Sequence, residues 1–155
     1  MQSGRNCWPV LADKARDAVT QRKQELSDAL ARVEQLQASR ARLMKLHDDY
    51  SRREAQAESG ITTGAGMHHQ ANHRQFMAQL LALRQRVDQD IERAQSVVAQ
   101  QRARLVDAEV ELRKMEALVE GDRRAVHAAR DKQEQRQIDA IATAQFNAQR
   151  LAAKA

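Results

Sequence analysis

Between Phe76 and Ala129 apolar residues recur in steps of three and four: Phe76, Leu80, Leu83, Val87, Ile91, Ala94, Val98, Leu105, Ala108, Leu112, Met115, Val119, Val126 and Ala129. Two longer gaps are single heptads carrying a polar residue, Gln101 or Asp122, at the seam position between them. This is the a/d stripe of a coiled coil held over about seven heptads, with Arg, Gln, Glu and Asp filling the other positions. Val87 follows Leu83 by four and Ile91 follows Val87 by four, which predicts a local shift of phase. Neither proline nor glycine interrupts the segment before Gly121. A helix of this kind needs a partner.

Upstream, Val10 to about Ala57 is also free of internal Gly and Pro. Its apolar series is Leu11, Ala15, Val19, Leu26, Leu30, Val33, Leu36, Leu43, Leu46 and Tyr50, with a change of phase expected near Val33. Pro9 suits a first helical turn, where its missing N–H is not needed. Trp8 beside it reads either as an end-cap packed on the opposite helix or as an exposed anchor. The segment 58–69, holding Gly60, Gly64 and Gly66 with Ser59, Thr62 and Thr63, is the one convincing loop. A loop between two amphipathic helices makes them antiparallel neighbours. Folding there brings Leu46 to Leu80 and Leu81, Leu43 to Leu83, Leu30 to Val97 and Val98, and Val19 to Ala108.

The expected fold is therefore all-α: one domain over 1–155, with helix 1 at about 10–57 and helix 2 at about 70–151. At 1.5 Å per residue the arms are about 70 Å and about 120 Å long, so helix 2 must overhang past Gly121. The overhang, Arg123 to Ala155, is basic and rich in Ala and Gln, with Ile138, Ile141, Phe146 and Leu151 on a looser spacing. It reads as an interaction surface or as a frayed tail.

Composition limits the function. Charged residues make up 30% and aromatics 3%, so a large core or an enclosed pocket is not expected. The formal charge of +5 permits an acidic partner, but charges alternate in sign along the arms. A single cysteine, Cys7, forms no internal disulfide and fits a reducing compartment. No apolar leader or membrane-length run is present. The glycines are not followed by the Lys of a phosphate loop, and no nucleophile has a base and orienter in a pocket. His69 and His73 are spaced i, i+4 beside His68, with His47 across the hairpin, but nothing nearby completes a metal set. The chain does not read as an enzyme, and no cofactor is expected.

Three pieces together resemble the FliJ family of the flagellar type III export apparatus. They are Trp8-Pro-Val-Leu-Ala-Asp; Leu43-Met-Lys-Leu-His-Asp-Asp-Tyr50, then a glycine loop, then His73-Arg-Gln-Phe-Met-Ala-Gln-Leu80; and Lys132-Gln-Glu-Gln-Arg-Gln-Ile-Asp139-Ala. The virulence-secretion counterpart, the YscO type, is the nearest competitor. Leu46 stands where the family often has a second aromatic, and Asp139-Ala140 where it usually has Asp-Glu.

The resemblance implies a stalk similar to the coiled coil of the rotary ATPase gamma subunit. Such a stalk inserts into the ring of the export ATPase, FliI, and touches the cytoplasmic domain of the export gate, FlhA. It also handles export chaperones, and it works in the cytoplasm at the inner face of the membrane. Carried over, the gate-facing residues are Leu43, Leu46, Tyr50, Phe76, Leu80, Leu83 and Val87. The ATPase-ring side is expected at Arg123, Arg124, Arg130, Lys132, Arg136, Ile138 and Ile141. Packing between the arms is the competing role for Leu43, Leu80 and Leu83. Competing readings of the whole chain are a basic nucleic-acid or membrane-surface helix, and a plain dimerising coiled coil.

Overall fold

The computed structural model describes residues 7–58 and 65–155. They form two helices, α1 (Cys7–Glu58) and α2 (Ala65–Ala153), and no strand. The fold is an all-α two-helix coiled coil. Helix α2 begins at Ala65, so residues 65–69, expected in the loop, lie in its first turns. Residues 59–64 of the expected loop, including Gly60, Gly64, Ser59, Thr62 and Thr63, lie outside the described residues, and Glu58 ends α1.

The shielded positions follow a stricter rule than the apolar ones. Along α1 a shielded series runs through Trp8, Ala12, Ala15, Val19, Arg22, Leu26, Ala29, Val33, Leu36, Arg40, Leu43, His47, Tyr50 and Glu54, with Glu25, Ser39, Asp49 and Ser51 half-buried beside it. Along α2 the matching series runs from Leu80 through Arg84, Val87, Ile91, Ala94, Val98, Gln101, Leu105, Ala108, Leu112, Met115, Val119 and Asp122, with Asp88, Asp90 and Glu109 half-buried beside it. Both series alternate three and four without a break. The phase shifts expected near Val33 and Val87 are absent. Four leucines assigned to the seam, Leu11, Leu30, Leu46 and Leu83, are instead between 38% and 44% exposed. Their places are taken by Ala12, Ala29, His47 and Arg84. The reason is cooperative: register is set by the whole length of the contact, and a one-residue step turns a side chain about 100° around the helix. A single leucine cannot pull the seam out of phase.

The contacts divide into two units. Within Thr20–Asp107, Leu36 of α1 packs with Ile91 and Ala94 of α2, with Val33 and Val87 against them. Further toward the loop Arg40 Nε lies 2.8 Å from Asp88 Oδ1, and Tyr50 meets Phe76. Rising numbers on one helix meet falling numbers on the other, so the arms are antiparallel. Val97 is exposed while Val98 is buried, so the expected Leu30 contact passes to the seam pair of Ala29 and Val98 positions.

In the other unit the start of α1, through Val19, packs with α2 from Ala108 onward. Ala12 is the most buried residue of the core, at 2% exposed. Arg16 reaches Glu116 at 3.5 Å, both half exposed, so this bridge contributes little. After Asp122 every residue of α2 is exposed, including Val126 and Ala129, which the spacing had placed on the seam. They lie where α1 has run out. Gly121 continues the helix, and a Cβ placed there meets nothing within 4 Å. Gly121→Ala is therefore expected to stabilise the helix by about 0.5–1 kcal/mol, measurable by urea unfolding.

Candidate partner-docking surfaces

Near the loop the expected gate-facing residues separate by depth. Leu80 is buried, and Leu43, Tyr50, Phe76 and Val87 are half-buried between the arms; Leu46 and Leu83 are exposed. Tyr50 and Phe76, carried over among the gate-facing residues, face each other with ring centroids 4.7 Å apart and planes tilted 46°. The guanidinium of Arg53 sits 5.7 Å above the Tyr50 ring, at cation–π distance. His73 Nε2 contacts Glu54 Oε2 across the helices, and its ring centroid is 6.5 Å from that of Tyr50. This charged and aromatic cluster clamps the arms beside the loop. Because Phe76 supplies half of the ring contact, Phe76→Ala should cost about 1–3 kcal/mol in thermal or urea unfolding. No change in stability would return Phe76 to the role of a free anchor.

Heptad positions sort the exposed leucines. With Arg40 and Arg84 at a, Leu46 and Leu83 fall at g, while Met44 and Leu81 fall at e. In an antiparallel pair g faces g and e faces e, so these are two different edges of the hairpin. Leu43, Met44, His47, Asp48, Leu80, Leu81 and Arg84 surround a cavity of about 30 Å³, room for a water but not for a ligand. Met44 was not picked out from the sequence, and Leu81 only as a neighbour of Leu46. The signal was there, one residue beyond seam positions Leu43 and Leu80, but it is readable only once the register is fixed.

Two of the four histidines considered for metal have other partners, His73 with Glu54 and His47 Nδ1 with Asp48 Oδ1 at 3.4 Å, while His68 and His69 are exposed. Among the described residues no three His, Cys, Asp or Glu side chains converge.

The second surface is the run of α2 after Asp122, about 46 Å of helix to Ala153. The expected ring-facing residues Arg123, Arg124, Arg130, Lys132, Arg136, Ile138 and Ile141 all lie on it, exposed. Ile138 and Ile141 are each 59% exposed, and Phe146 and Leu151 more so. Pairs one turn apart support this helix from within: Arg124 with Glu120 at 3.1 Å, His127 with Asp131 at 2.9 Å, and Gln135 with Asp139 at 2.9 Å. Charge is concentrated here. Seven Lys and Arg stand against three Asp and Glu after Asp122, so the run carries +4 of the chain's +5.

A paired arm, a loop and a long basic overhang are the frame on which the family comparison falls. The family model described as "Flagellar FliJ protein" matches residues 10–151. The chain belongs to the FliJ family. No curated protein and no solved structure matches it. Membership makes this FliJ-family chain a component of the flagellar export apparatus, in a family of non-enzymatic export components. The match spans both arms and most of the overhang, so the overhang is part of the family's pattern. Among the described residues no helix is long and apolar enough to cross a membrane.

Proposed function

We propose that this protein is the central stalk of the flagellar export ATPase complex. Its loop end meets the cytoplasmic domain of an FlhA-like gate, and its overhang enters the ring of a FliI-like ATPase. Handling of export chaperones and residence at the inner face of the cytoplasmic membrane belong to the same proposal. The observation that carries it is the division of the chain into a self-satisfied pair of arms and a basic helix with no partner among the described residues. Paired arms with polar outer faces leave no sheet edges exposed. The unpaired helix, Arg123 to Ala153, offers Arg123, Arg124, Arg130, Lys132, Arg136, Ile138 and Ile141 to the ring.

At the loop end the docking residues are Leu46 and Leu83, with Phe76 at their edge. Leu43, Tyr50, Leu80 and Val87 contribute by holding the arms in register. Binding of the purified protein to the gate domain and to the ATPase tests this. Leu46→Ser with Leu83→Ser should weaken gate binding at least tenfold, leave ATPase binding unchanged and lower the melting temperature by only a few degrees. Unchanged gate affinity would remove the loop end from the gate contact.

A further inference from the structure

The two edges of the hairpin near the loop differ in charge. We take residues 37–56 of α1 and 71–93 of α2, within the unit Thr20–Asp107. The g edge, with its neighbouring c positions, carries Arg42, Arg53, Arg86 and Arg93 against Asp49 and Asp90. The e edge, with its neighbouring b positions, carries Arg74 against Asp48, Asp88 and Glu92. Local pairing removes charge from both edges and leaves the g edge positive. On the e edge Asp88 is held by Arg40 at 2.8 Å and approached by Arg84 at 3.9 Å. On the g edge Arg93 is paired with Asp90 at 3.7 Å. Arg42 bonds only to the Ala38 carbonyl and the Ser39 hydroxyl, Arg53 lies over the Tyr50 ring, and Arg86 has no carboxylate partner among the described residues. Between these three arginines stand Leu46 and Leu83, two exposed leucines at g positions that face one another across the arms. Apolar residues at a, d and g together make the wider face of a helical bundle, beyond the narrow seam of a two-stranded coil.

We propose that this g edge takes an acidic amphipathic helix of another protein, its apolar face on Leu46 and Leu83 and its carboxylates on Arg42, Arg53 and Arg86. The inference rests on the reading above that the loop end docks on a partner, and adds which edge is used and what chemistry the partner presents. A second copy is the poorer occupant. Two g edges brought together repel, and a g edge laid on the e edge of another copy finds Asp88 already engaged. Such a contact would also be head-to-tail, leaving both outer edges open without closure.

The test uses the full chain and two labelled helical peptides, each with leucines at i, i+3, i+4 and i+7, one filled with Glu and the other with Lys. Binding is read by fluorescence anisotropy at low and high salt. The Glu peptide should bind and the Lys peptide should not, with affinity falling as salt rises. Leu46→Ser with Leu83→Ser, or Arg42→Glu with Arg86→Glu, should weaken binding at least tenfold. Met44→Ser with Leu81→Ser, on the opposite edge, should change it less than twofold. All six positions are exposed, and helicity by circular dichroism confirms that each variant is folded. Equal binding of the two peptides, equal loss in the Met44/Leu81 variant, or no loss in the g-edge variants would overturn the proposal. So would sedimentation showing a dimer that the g-edge substitutions dissolve, since the occupant would then be a second copy. A parallel arm with the gate domain separates this inference from the stalk reading. Gate binding by the wild type and the g-edge variants alike overturns the edge and leaves the stalk. Absence of gate binding, with Glu-peptide binding still dependent on the edge, overturns the gate contact and leaves the edge.

Discussion

Leu36→Ala should destabilise the protein by about 2–4 kcal/mol, among the largest effects expected of a single substitution here. Leu36 is 9% exposed and packs with Ile91 and Ala94, with Val33 and Val87 against the cluster. Among the described residues no large side chain is fully buried, and only a few, such as Leu36, Leu80, Ile91 and Val98, lie deep in the seam. A coiled coil distributes its stability over many shallow contacts, so a cavity at one of its few deep positions is felt along the whole pair. Leu83→Ala and Leu30→Ala, which remove the same atoms from exposed positions, should each cost under about 1 kcal/mol. Urea unfolding followed by helicity gives the comparison directly. Equal losses at Leu36 and Leu83 would mean that the seam shifts phase near Val87, as the apolar spacing alone suggests.

Deleting Arg123 to Ala155 should abolish binding to the ATPase while leaving the melting temperature of the paired arms within a few degrees. Every residue after Asp122 is exposed, so its removal uncovers no seam position. The truncated chain also loses the stretch that carries +4 of the +5, so it should lose most of the salt-sensitive affinity of the full chain. An unpaired helix gains nothing from tertiary packing and is held by its own backbone bonds and one-turn pairs, such as His127 with Asp131. Helicity should therefore rise on binding in the full chain and not in the truncated one. A fall in melting temperature of more than about 10 °C would show that the overhang folds back on the arms. Full binding by the truncated chain would place the ATPase contact elsewhere.

How much of this could be read in advance depends on which physical signal each feature leaves. The two arms and the overhang were legible, because period and arm length are sums over many residues. The individual seam positions were not. At Leu11/Ala12, Ala29/Leu30, Leu46/His47 and Leu83/Arg84 the sequence offers a large apolar residue beside a small or polar one. Reading the larger as buried gives two phase shifts that the shielded series does not have. Alanine at Ala12 and Ala29 lets the backbones approach, while Arg84 and His47 keep their polar ends toward water from a seam position. The candidate site was legible in composition only. Tyr50 and Phe76 drew notice because aromatics are scarce, but their mutual stacking, and the Glu54–His73 contact beside it, depend on a register fixed by residues far from them. Leu46 and Leu83 were named among the gate-facing residues, and their exposure separates them from Leu43, Leu80 and Val87, which support the arms.

The most direct measurement is whether one molecule of this protein holds the export ATPase and the gate's cytoplasmic domain at the same time. Mixing the three purified proteins and resolving them by size-exclusion chromatography with light scattering reads this in one experiment. The stalk account predicts a ternary complex that forms only when this protein is present, because its two docking surfaces lie on different stretches of the chain. Mutually exclusive binding, in which the gate domain displaces the ATPase, or complex formation without this protein, would contradict it.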